Sequence, residues 1–181
     1  MGKAGKLGTK YALLVKHGLY VLLFLLLYVA QSTPDFLVLG GVKPLWVIPA
    51  ALAVAMLEGE LVGGIYGAFA GLLCDINGPL LFGFNGFLTC LFCVATGLLV
   101  VYLMRCNLLS CVLFVGVFAV VRGHLEFLFA FGMWNYENIW KLYVWRTLPV
   151  IAYTIAVSPL LFWLLRRLHR YFAPDWETAE L

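Results

Sequence analysis

Six apolar stretches, each closed by a polar or turn-forming stop, succeed one another along this chain. A helix that crosses a bilayer needs about 20 apolar residues. The first stretch, about 11–30, ends in Gln31-Ser32-Thr33-Pro34-Asp35. After a short apolar patch, 36–39, and Gly40-Gly41 comes the second, about 44–57, in which Pro49 predicts a kink. The third, about 61–74, is short and glycine-rich. The fourth, about 80–104, is the longest, with Asn85 near its start and Arg105 at its end. The fifth, about 108–131, carries Arg122, His124 and Glu126, and the sixth, about 144–165, contains Pro149 and Pro159. Between the last two, Trp134, Tyr136, Trp140, Tyr143 and Trp145 crowd together. Such residues concentrate at the lipid–water boundary, so this loop is expected along a membrane face. The pattern predicts a single all-α integral membrane domain, a bundle of six transmembrane helices.

Within it, the stretch from Glu58 to Gly78 has its own rhythm. Gly59, Gly63, Gly67 and Gly71 recur every four residues, and Asp75 takes the next position in that register, ahead of a turn containing Gly78. Positions four apart stay close together on a helix, so these form a ridge without side chains. A second helix can then approach backbone to backbone, the main way in which apolar helices attract each other in lipid. The ridge is expected to be the contact around which the bundle is organised.

Composition agrees with the pattern: of 181 residues, 64% are hydrophobic and 12% charged, against about half and a quarter in soluble domains. The basic residues cluster at the two ends, which leaves no patch for nucleic acid. Lys3, Lys6, Lys10 and Lys16 place the N-terminus in the cytoplasm by the positive-inside rule, and Arg166, Arg167 and Arg170 place the C-terminus there too. Arg105 falls on the same side, and six crossings satisfy all three. The acidic turn at Glu58 and Glu60 lies on that side as well. The N-terminal segment has a basic start like a signal peptide, but no small-residue cleavage site closes its apolar run. It reads as a retained first helix. Of the five cysteines, Cys90 and Cys93 form a C-x-x-C in lipid-like surroundings without a second ligand pair. They read as small hydrophobes, with no disulfide expected.

Candidate chemistry is sparse. Arg122 and Glu126 share a helix face and can pair, and ionisable residues at membrane depth are functional candidates by default. A structural ion pair is the competing reading, and His124 points elsewhere. No serine lies in a nucleophile elbow, no histidine and acid have metal-ligand spacing, and no phosphate loop is present. The expectation is a protein that is not an enzyme and has no cofactor or metal.

At the ridge the chain resembles the rod shape-determining protein MreD family, whose pattern is a glycine-spaced helix, Leu-x-x-Asp and a glycine-containing turn. The matching residues are Gly63, Gly67, Gly71, Leu72, Asp75 and Gly78, then Gly83 and Asn85. Gln31-Ser32 and Lys43-Pro44 are similar to the family's as well. The chain departs from it at Leu45, where a member often has an acidic residue. The resemblance implies a multi-pass protein of the bacterial cytoplasmic (inner) membrane with both termini cytoplasmic. It implies a non-enzymatic scaffold for cell shape and peptidoglycan synthesis, partnering an MreC-like protein alongside RodA, a class B penicillin-binding protein and the MreB filament. The implied fold is similar to the substrate-binding subunits of energy-coupling-factor transporters. Two further readings stay open: a vitamin-binding subunit of such a transporter, and a membrane enzyme centred on Arg122, His124 and Glu126. The bulky first helix, without an Ala-xxx-Ala pattern, argues against the former's mode of docking.

Overall fold

A computed structural model describes residues 3–33, 45–76, 78, 81–103, 106–130 and 147–172. They form six helices: α1 (Lys3–Ser32), α2 (Val47–Glu58), α3 (Glu60–Ile76), α4 (Phe84–Tyr102), α5 (Leu108–Ala130) and α6 (Leu148–Phe172). Four of them, α1, α4, α5 and α6, are long and apolar enough to cross a membrane. The aromatic loop 134–145, Lys43, Pro44 and Arg105 lie outside the described residues.

The centre belongs to α2, which touches all five other helices. Its sequence, VIPAALAVAMLE, is apolar on every side, the signature of a helix with no outer face. Every residue from Val47 to Met56 is buried. In lipid, apolarity alone gives a helix no preference for neighbours over acyl chains. The alanines supply the preference, since Ala50, Ala51, Ala53 and Ala55 let neighbours approach from several directions. At 12 residues, α2 is only about 18 Å long, well short of a hydrocarbon core of about 30 Å. Pro49 falls in its first turn, where a missing N–H removes no internal bond, so it starts the helix and the predicted kink is absent.

Side-chain caps fix how the helices are strung together. Gln31, at the end of α1, accepts hydrogen bonds from the Trp46 and Val47 N–H groups (2.9 and 3.4 Å), serving the orphan donors that open α2. Thr154 accepts one from Leu45 N–H at 3.2 Å and donates to Val150 O. The start of α2 therefore lies beside the first half of α6, and its end reaches His169 near the other end of α6. The two helices run parallel. Pro159 sits inside α6 and cannot serve the carbonyl four residues back. The Ser158 hydroxyl donates to that carbonyl, Ile155 O, at 2.8 Å, so the helix continues through the proline.

Candidate functional site

The glycine series winds from one neighbour to another. Each step of four residues advances about 40° around a helix, so Gly63 and Gly71 face different partners. A Cβ at Gly63 would lie 2.5 Å from Ala55 of α2. One at Gly67 would meet Cys93 at 2.8 Å and Thr89 O at 2.9 Å, both on α4. One at Gly71 would meet the Asn85 and Gly86 backbone of α4 at 2.6 Å. Gly64 joins the α4 side against Val94, and Gly97 of α4 answers it against Glu60 and Gly59. The α4-facing set is thus Glu60, Gly64, Gly67 and Gly71, spaced four, three and four, as in other long helix seams. The expectation of one straight ridge is corrected here. Gly59 is not in the helix at all: with φ +86° it makes the turn between α2 and α3, where its lack of Cβ is required. Gly78 follows the end of α3, its N–H bonded to Asp75 O at 3.1 Å.

Asp75 closes this seam. It is 5% exposed and its carboxylate accepts four hydrogen bonds. Oδ1 takes Asn85 N–H (3.1 Å) and Asn85 Nδ2 (2.8 Å), and Oδ2 takes Gly83 N–H (2.9 Å) and Gly86 N–H (3.1 Å). These backbone donors open α4, so the carboxylate sits where the helix dipole favours a negative charge. Gly83, with φ +97°, turns the chain into that position. Asn85 passes the connection on: its Oδ1 accepts Arg122 Nε at 2.8 Å. Arg122 Nη1 in turn lies 3.1 Å from Glu126 Oε2, the i,i+4 pair that the spacing allows. One network of alternating sign therefore ties α3, α4 and α5 together. All four acceptor positions of Asp75 are taken, which leaves no lone pair directed at a substrate.

His124 does not join this network. It is exposed, with Nδ1 3.0 Å from Val120 O on its own helix. His124→Ala should leave the thermal midpoint in detergent within the range of an ordinary surface change, about 0.5 kcal/mol. A larger loss would show that the imidazole holds part of the fold.

A second polar cluster occupies the opposite end of α3, and reading the sequence did not find it. Glu58, the last residue of α2, receives Lys16 Nζ at 2.6 Å, the Tyr20 hydroxyl at 2.8 Å and His169 Nδ1 at 2.8 Å, all on Oε1. This joins α1, α2 and α6. Beside it, the Tyr66 hydroxyl of α3 donates to His17 O at 3.2 Å, and the His17, Tyr20 and Phe24 rings pack around the Tyr66 ring. The signal was available: in the six-crossing reading of the sequence, Lys16, Glu58 and His169 all fall on the same side. Glu58→Gln should cost about 1–3 kcal/mol, because it leaves the Lys16 ammonium buried without a counter-charge. Adding Lys16→Met should recover part of that loss in thermal unfolding, and no recovery would mean that the pair is not coupled.

The five cysteines are free thiols, and Cys93 of the C-x-x-C packs into the α3–α4 seam against Gly67. Among the described residues, no three His, Cys, Asp or Glu side chains gather as a metal site. No protein-family model matches the chain, and neither does any curated protein or solved structure.

Proposed function

We propose that this protein is a non-enzymatic membrane scaffold of the bacterial cell-elongation machinery, partnering an MreC-like protein and helping to organise peptidoglycan synthesis. RodA, a class B penicillin-binding protein and the MreB filament are its further proposed associates. One observation carries the reading. Of the residues of the resemblance, Gly67, Gly71, Asp75, Gly83 and Asn85 meet in one seam, and there they join helices and leave no reactive group open. That suits an architectural role, and it disfavours an enzyme centred on Arg122 and Glu126, whose charges are spent on Asn85 and on each other.

The proposed setting is the inner membrane with six crossings and both termini cytoplasmic. The Glu58 cluster then lies at the cytoplasmic face and the Asp75 network toward the outer one. A reporter fused after Leu181 that is active only outside the cytoplasm should stay silent, and activity would overturn this orientation. The function is tested by purifying the full chain in detergent from a rod-shaped bacterium. An MreC-like protein should be retained. Retention of an ATPase module or a vitamin instead would reject the scaffold in favour of a transporter subunit.

A further inference from the structure

The last turns of α6 carry a feature that neither polar cluster uses. Trp163, Arg166, Arg167 and Arg170 follow the i, i+3, i+4, i+7 spacing of one helix face and line a groove of about 300 Å³. That face points outward: Trp163 is 55% exposed, and Arg167 and Arg170 are exposed. The side turned toward the other helices, with Phe162, Leu165 and His169, is buried in the bundle.

We infer that this groove binds the headgroup of an anionic glycerophospholipid. Three arguments converge. First, arginines three and four apart on a helix repel one another, and among the described residues neither Arg167 nor Arg170 faces a carboxylate. A phosphate diester between them turns the repulsion into attraction. Second, the guanidinium of Arg167 stands 5.6 Å over the Trp163 ring and that of Arg166 stands 5.9 Å over Phe162. Stacking holds both planar groups, and the edge N–H donors of the exposed Arg167 stay available for phosphate oxygens. Third, one turn back along α6 from the arginines, Leu160 and Leu164 are exposed. Charge followed by apolar surface in one line matches a phospholipid and not a free anion. Tryptophan at this level suits the headgroup boundary.

The test is native mass spectrometry of the full chain in detergent with equal amounts of phosphatidylglycerol and phosphatidylcholine. The parent should retain the anionic lipid in preference, and inorganic phosphate at the same concentration should not displace it. Each arginine near a membrane surface contributes about a fivefold preference for anionic lipid. Arg167→Gln alone, an exposed change that spares the fold, should therefore lower the preference about fivefold, and Arg166→Gln/Arg167→Gln/Arg170→Gln should abolish it. Trp163→Leu, which keeps every charge, should weaken it as well. Lys3→Gln/Lys6→Gln/Lys10→Gln removes as many charges elsewhere and should change little. The proposal falls if Arg167→Gln retains lipid like the parent, if the lysine variant loses it equally, or if phosphate displaces it. It also falls if a preference emerges only after Asp175, Glu177 and Glu180 are neutralised, since the chain's own acidic end would then cover the arginines.

Discussion

Asp75→Ala should unfold the α3–α4–α5 end of this protein well below the temperature at which the parent melts. The substitution strips the acceptor from three backbone N–H groups in the first turn of α4 and from the Asn85 amide, all in one place. It also removes one negative charge from a network in which Arg122 is 8% exposed. A buried donor left without its acceptor costs about 1–3 kcal/mol, and with four of them in one place the loss is a large part of a typical folding free energy of about 5–15 kcal/mol. Asp75→Asn should fall between variant and parent, since it keeps one carbonyl oxygen but turns an amide NH2 toward donors. The measurement is thermal unfolding in detergent, followed by helicity. If Asp75→Ala melts with the parent, the carboxylate is not what holds α4. Partner retention by the fraction that stays folded then separates architecture from contact, because a purely internal Asp75 leaves it unchanged.

The legible part of the fold was the part that local pattern determines. Apolar run length located α1, α4, α5 and α6, and the i,i+4 spacing of Arg122 and Glu126 marked a pair present at 3.1 Å. Six crossings are more than the helix lengths alone establish, because α2 (12 residues) is short and buried and α3 (17 residues) is short as well. Helix ends shifted where charged or aromatic side chains extend a helix past its apolar run, as at Lys3 and at Phe172. What local pattern could not supply is rank. The glycine helix drew attention because its spacing is regular, whereas the central helix is α2, whose uniform Ala-rich composition has no rhythm to notice. Asn85 was visible as a polar residue at the head of a helix. Its position between Asp75 and Arg122 depends on three helices converging. The Glu58 cluster depends on contacts that leap 42 residues to Lys16 and 111 to His169. No window of sequence contains it.

The glycines of α3 allow a graded test of the seam. Replacing a helical glycine by alanine gains about 1 kcal/mol of helix propensity, so a loss on such a change measures crowding directly. Gly71→Ala should be the most damaging. Its Cβ would sit on the Asn85 carbonyl and 2.6 Å from Gly86 Cα, and all of these are backbone atoms with no rotamer to change. The same stretch of α4 is pinned by Asp75, so α4 cannot slide away without giving up those hydrogen bonds. Overpacking of this kind costs about 1–3 kcal/mol and sometimes more, and Gly71→Ala should lie at the upper end. Gly67→Ala should cost less, because part of what it meets is the Cys93 side chain. For Gly64→Ala the obstacle is one methyl of Val94, which can rotate, so propensity and crowding should nearly cancel. Ile65→Leu, on the 70% exposed side of the same helix, should be silent. Melting temperatures in detergent should therefore fall in the order Ile65→Leu, Gly64→Ala, Gly67→Ala, Gly71→Ala. A Gly71→Ala protein that melts at or above the parent would mean that α3 and α4 are held apart from the close approach described here, and that Asp75 alone joins them.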